Sequence, residues 1–185
     1  MDKLYYNFKD LPFQWIRPKL KIQDWGIDPN VGRITFRAHP LQFFTTASLR
    51  FLNSLDIHVD DFCILLLGIP AGMAVDIHTD YVSPSDFKGN LYKGYWSLNV
   101  PIGTENVYTT WFDGPIKENH VYREEEAGNI LYEAVIEKPN IVRTDIPHRV
   151  DNRGKDTTWR VCLRCSSPIK SWNDAVNLLG PYLEM

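Results

Sequence analysis

The chain has 185 residues, enough for one domain with a substantial core. A hydrophobic share of 44% and a charged share of 23% fit an ordinary globular protein and exclude a disordered or fibrous one. A net charge of −3 offers no broad basic field for nucleic acid, and no apolar run approaches the about 20 residues of a membrane helix.

Residues 1–38 are rich in aromatics but broken by Pro12, Pro18, Gly26, Pro29 and Gly32, which predicts an irregular arm with one or two short strands. Trp15 and Trp25 read as packing residues of that arm. From Pro40 the pattern changes to helical spacing through Leu41, Phe44, Leu49, Phe51 and Leu52, predicting a helix over 40–54 with Pro40 in its first turn. Strands are expected at 61–68, 72–80, 94–101, 106–113, 120–123, 128–137, 140–147 and 157–166. Such a run of short strands without intervening helices fits a mainly β jelly roll, the architecture also used by cupins. Ser171-Trp172-Asn173-Asp174 then reads as a helix N-cap with an acidic third position. That helix is expected to run over 171–179, with Gly180 as cap and Pro181 as stop. The expected organisation is a single domain over 1–185: arm and helix at 1–60, β core at 61–167 and C-terminal helix at 168–185.

Three cysteines are too few and too unevenly spaced for a disulfide framework, so a reducing, cytoplasmic setting is expected. The charged N-terminus is not followed by a signal-peptide core. Cys162 and Cys165 sit three apart, on opposite faces of a strand, and are not expected to chelate together.

The chemistry-bearing stretch is Asp76-Ile77-His78-Thr79-Asp80, read with Pro147-His148-Arg149-Val150. Alternate residues of a strand share a face, so His78 and Asp80 project together if the segment is extended. A turn at Pro70-Ala71-Gly72 would join it to the preceding apolar strand. A third ligand, His148, arriving from a distant strand would close one triangular face of a metal ion. Two imidazoles and a carboxylate leave the opposite face open, as in non-heme Fe(II) oxygenases. After His148, turn residues centred on Gly154 predict a hairpin that sets Arg160 beside His148. A permanently charged planar fork suits a carboxylate held in two-pronged fashion.

His78-x-Asp80, distant His148, then Val150, Asn152 and Arg160 resemble the Fe(II)/2-oxoglutarate-dependent oxygenases, in particular the aspartyl/asparaginyl hydroxylase-like and prolyl hydroxylase-like branches. The resemblance spans roughly 61–167. It implies a double-stranded β-helix, iron held by His78, Asp80 and His148, 2-oxoglutarate as cosubstrate with Arg160 on its far carboxylate, and dioxygen as the other reactant. Ascorbate is an auxiliary reductant in such a system. Tyr95 to Ile102 looks like the family's inner strand, where Asn99 and then Ser97 would help hold 2-oxoglutarate. Arg164, in an R-x-S pattern on the same strand face as Arg160, is the reserve clamp. The implied reaction is hydroxylation of a C–H bond in an amino-acid-like, peptidyl or other small-molecule substrate, with no nucleic acid or membrane partner.

Two other readings share the pattern: a cupin-like module that binds a metal or small ligand without turnover, and a zinc hydrolase with an activated water. The second needs a general base, and no H-E-x-x-H motif is present. Asp76 shares the face of His78 and is either a carboxylate that orients it or a surface group. His39, His58 and His120 read as solvated, and Glu124-Glu125-Glu126 as a solvated turn. The stretch 81–93 is long enough to form a lid over the site.

Overall fold

The structure is a computed structural model that describes residues 3–9, 34–38, 44–57, 64–80, 94–102, 106–163, 169 and 171–185. Its elements run β1 (Tyr5–Asn7), β2 (Ile34–Ala38), α1 (Thr46–Ser54), β3 (Ile64–Ile69), β4 (Trp96–Ile102), β5 (Val107–Phe112), α2 (Glu124–Ala127), β6 (Ile130–Val135), β7 (Asn140–Arg143), β8 (His148–Asn152), β9 (Thr158–Leu163) and α3 (Trp172–Leu179). A 3-10 turn, Gly180–Tyr182, follows α3. The strands form two antiparallel sheets, one in the order β1-β7-β4-β9-β3-β2 and one in the order β6-β5-β8. The mainly β reading therefore holds, and neither sheet closes on itself among the described residues. No helix among the described residues is long and apolar enough to cross a membrane.

The two-residue strand period decides which face each side chain takes. Along β4, Trp96, Leu98 and Val100 join Val161 and Leu163 of β9 in a buried cluster with Leu52 of α1 and Trp172, Ala175 and Leu179 of α3. The helices thus cover one side of the six-stranded sheet. The alternate residues, Ser97 and Asn99 of β4 and Arg160 and Cys162 of β9, turn to the opposite side and line a cavity. The three-stranded sheet faces that cavity from across, through Thr109 of β5 and His148 and Val150 of β8. The inner layer thus carries polar side chains among its apolar ones. Leu98 and Leu163 are fully buried under the helices, and truncating either to Ala would cost about 2–5 kcal/mol. The largest apolar cluster therefore lies on the face turned away from the cavity.

The chain crosses from β3 to the other sheet through the expected turn. The Met73 N–H donates to the Pro70 carbonyl at 3.1 Å, and Gly72 takes φ +69, the left-handed conformation that a type II turn requires at this position. Residues 72–78 then run beside β8. Gly72 N–H donates to Asn152 O, Val75 N–H to Val150 O, and His78 and His148 exchange both backbone hydrogen bonds at 2.9 Å.

Several boundaries differ from expectation. The stretch 72–80 forms isolated bridges at Ala74 and His78 instead of a continuous strand, with Val121 and His148 on the two edges of His78. Likewise 120–123 contributes a single bridge at Val121 instead of a strand. The first helix begins at Thr46, where the Thr45 hydroxyl accepts from Ser48 N–H at 3.2 Å; Pro40 lies outside the described residues. Glu124–Ala127 is a short helix, its start held by Glu126 accepting from the Arg123 N–H at 3.2 Å. Strand β7 stops at Arg143, whose side chain pairs with Asp145 at 2.7 Å and draws the chain into a bend. Ser171 caps α3 as expected, but Gly180 is right-handed (φ −46) and the chain continues through one 3-10 turn containing Pro181.

The hairpin expected about Gly154 does not form. Strand β8 pairs with β5, whereas β9 lies between β3 and β4, so the connection passes from one sheet to the other. Asn152 makes this crossing possible. Its side-chain amide donates to Ile69 O and Asp156 O, each at 2.8 Å, and its carbonyl accepts from Gly154 N–H at 2.9 Å. A fully buried amide with both ends satisfied fixes the loop to the end of β3.

Candidate metal centre

His78 and His148 face each other because their backbones form a hydrogen-bonded antiparallel pair, an arrangement that sets side chains on the same side of the sheet. Their ring centroids are 4.5 Å apart. Asp80 follows two positions after His78, and its N–H donates to the Thr144 carbonyl at 2.9 Å, which fixes the strand direction just beyond β7. The His78 Nε2 to Asp80 Oδ1 distance is 3.6 Å. One ligand atom from each of His78, Asp80 and His148 lies within 4.8 Å of the others, close enough to share one cation. This is the only such cluster of three among the described residues.

The tautomers suit the role. His78 Nδ1 is 2.8 Å from the Asp76 carbonyl oxygen and His148 Nδ1 is 3.0 Å from that of Ile146. A carbonyl oxygen can only accept, so each Nδ1 carries a proton and donates it. In the neutral ring that puts the lone pair on Nε2, the form a metal ligand needs. Asp76 therefore does orient His78, but through its backbone carbonyl, and its side chain is exposed. The donor set of two neutral imidazoles and a carboxylate fits a divalent first-row ion.

Arg160 approaches from the opposite sheet, where it is paired in register with Leu67 and Pro101. It lines the same cavity as the three ligands, 7% exposed, although the route there is across the sandwich and not along a hairpin. No carboxylate pairs with it among the described residues. Burial pushes its guanidinium pKa below the ordinary value, opposed only by the nearby Cys162 sulfur. Ser97 and Asn99, both 4% exposed, line the cavity beside it. Arg164 and the stretch 81–93 lie outside the described residues, as do Cys165, His39, His58, Trp15 and Trp25.

Thr109, Thr144 and Cys162 complete the polar lining and were not foreseen as site residues. The Thr109 hydroxyl is buried without a hydrogen-bond partner among the described residues, an expensive state that a bound polar group would relieve. The sequence signal for it was a polar residue at an inward strand position, between Val107 and Trp111. The Ile146 and Asp76 carbonyls left no signal, since any residue supplies one. His120 is engaged away from the cluster, 3.7 Å from Glu126 and 3.4 Å from Lys117.

Comparison of the sequence with models of known protein families gives no match, and comparison with curated proteins gives none either. The class assigned to the protein therefore rests on its own residues: a two-sheet antiparallel β protein carrying a His/Asp/His cluster able to hold a metal ion.

Proposed function

We propose that this protein is an Fe(II)- and 2-oxoglutarate-dependent dioxygenase, with its two facing sheets as the walls of a double-stranded β-helix. The observation that carries the reading is the joint presence of the His78/Asp80/His148 cluster and buried Arg160 in one cavity. A metal alone would explain the cluster, but it gives no reason to retain a desolvated cation across the pocket. A ligand with a carboxylate at one end and metal-chelating oxygens at the other accounts for both.

Iron and 2-oxoglutarate, when bound, supply dioxygen activation and oxidation of a C–H bond, releasing succinate and carbon dioxide. The chain's residues do the positioning. His78 and His148 present Nε2 lone pairs held by their Nδ1–H bonds to backbone, and Asp80 brings the negative charge that partly offsets the cation. Arg160 receives the distal carboxylate through paired N–H donors, with Asn99 and Ser97 beside it on the neighbouring strand. Leu67, Val75, Val142 and Val150 form the apolar part of the lining and limit water around the ligand. The substrate class follows the resemblance in being amino-acid-like, peptidyl or a small metabolite, and the low number of cysteines fits a reducing, cytoplasmic setting.

The test is succinate formation by the purified protein with Fe(II), ascorbate and 2-oxoglutarate, with His78→Ala and Arg160→Ala as controls. Uncoupled turnover does not require the prime substrate. Succinate in the parent and its loss in both variants is expected; equal succinate in His78→Ala would contradict the assignment.

A further inference from the structure

The cavity lining contains no Trp, Tyr or Phe among the described residues, but an aromatic column begins directly behind it. Trp111 is the cross-strand partner of His148 in the β5–β8 ladder and is fully buried. Its indole N–H donates to the Arg143 carbonyl at 2.9 Å, one residue before Thr144, whose carbonyl anchors Asp80. Trp111 is therefore coupled to the strands bearing two of the three ligands. On its other side the ring lies nearly parallel to Tyr5, with 7° between planes and 6.1 Å between centroids. Tyr132 stands 6.3 Å from Tyr5 and 6.0 Å from Trp111, and is 44% exposed. Burial, then proximity to Tyr132, pushes the Tyr5 phenol pKa up.

Packing alone explains one buried tryptophan. It does not call for three readily oxidised rings in mutual contact, leading from a metal-ligand strand to solvent. We propose that Trp111, Tyr5 and Tyr132 form an electron-donating column that drains oxidising equivalents from the His78/Asp80/His148 pocket to the surface, where a small reductant of the ascorbate class quenches them at Tyr132. The inference rests on the redox-metal reading of that pocket.

The electron balance is simple. A one-electron oxidant formed in the pocket by reduction of dioxygen or peroxide takes an electron from Trp111. Its indole N–H faces a carbonyl, a poor base, so the ring stays a radical cation and takes an electron from Tyr5 or directly from Tyr132. When Tyr5 is the donor, its ring keeps the phenolic proton and is refilled with an electron from Tyr132. The net loss is one electron and one proton from Tyr132, with the proton passing to water. A hydrogen atom from the external reductant restores the phenol. His148 and Asp80 are spared.

The experiment treats the Fe(II)-loaded full chain with hydrogen peroxide, without 2-oxoglutarate. Radicals are read by freeze-quench electron paramagnetic resonance and oxidised residues by peptide mass spectrometry. A tyrosyl signal erased by ascorbate is expected in the parent. In Tyr132→Phe the signal is lost and oxidation moves to Trp111 and His148; in Trp111→Phe the signal is lost while iron is retained. Because Trp111→Phe alters the core, the exposed Tyr132→Phe carries the test if the former fails to fold. An unchanged tyrosyl signal in either variant, or an unchanged level of His148 oxidation in Tyr132→Phe, would overturn the inference. Failure of the parent to retain iron would overturn the proposed function and this inference with it, whereas retained iron with no Tyr132-dependent signal overturns this inference alone.

Discussion

Replacing Arg160 by Met should make the ligand-free protein more stable and its cosubstrate site useless. The guanidinium is 7% exposed, has no carboxylate partner among the described residues and is held below its ordinary pKa by burial. Water is largely stripped from it without a compensating charge, a state that is unfavourable by several kcal/mol before any ligand arrives. Met keeps the unbranched stem and most of the volume but removes the charge. Exchanges of buried charged groups for apolar ones of similar size stabilise by about 1–4 kcal/mol, and the lower part of that range applies because Arg160 still touches the open cavity. A gain of about 1–2 kcal/mol corresponds to a rise of roughly 2–8 °C in melting temperature for a chain of this size. Under the proposed function the same substitution would remove a charge-assisted pair to the ligand, so affinity for 2-oxoglutarate should fall roughly 30-fold or more. Thermal unfolding without ligand, paired with calorimetric titration of 2-oxoglutarate, reads both effects. An Arg160→Met protein less stable than the parent by more than about 1 kcal/mol would refute the reasoning, since the charge would then serve the fold rather than a ligand.

Asp80→Ala should abolish binding of a divalent ion, measured by titration; in the parent, adding the ion at about 100 times its Kd should raise the melting temperature by roughly 5–10 °C and a chelator should reverse it. Asn152→Ala removes one buried hydrogen bond to Ile69 at the end of β3 and two that hold the 152–156 turn together, so chemical denaturation should show a loss of about 2–4 kcal/mol. Gly68 pairs with Trp159, whose ring would lie 2.5 Å from an added Cβ, so Gly68→Ala should destabilise by about 1–3 kcal/mol in the same measurement. The Glu133 carboxyl is held below its usual range by its hydrogen bonds, first with Arg153 and then with Thr110. A lowered folded-state pKa gives stability that is present above the unfolded value and lost as pH falls through the folded one. The stability gap between parent and Glu133→Gln, no more than about 1 kcal/mol at this partly exposed site, should therefore close on acidification.

The fold was legible where one physical signal dominated. Alternation in β4 and β9, the Ser171 cap and the Gly72 turn all speak locally, and each lies close to where the sequence placed it. His78, Asp80 and His148 were legible as a set because an H-x-D on an extended segment fixes two directions and little else could supply the third. The route of Arg160 was not. A symmetrical turn about Gly154 reads as a hairpin, but Asn152 ties that loop to Ile69, and hydrogen bonding to β3 and β4 takes β9 into the other sheet. Sheet assignment is a long-range choice that no local spacing encodes. The single bridges at Ala74, His78 and Val121 fall in the same category, since each depends on which distant backbone arrives beside the segment. The carbonyls of Asp76 and Ile146 became visible only when the cavity was assembled, whereas Thr109 had a local signal as a polar residue at an inward position of β5.

The most direct measurement is an anaerobic titration of the protein with Fe(II) and 2-oxoglutarate, following the visible charge-transfer absorption of a 2-keto acid chelated to ferrous iron. The account predicts a band that requires both components, saturates at one iron and one 2-oxoglutarate per chain, and disappears in His78→Ala. No band at concentrations where iron is bound would show that the cavity holds a metal without this cosubstrate, and would contradict the role given to Arg160.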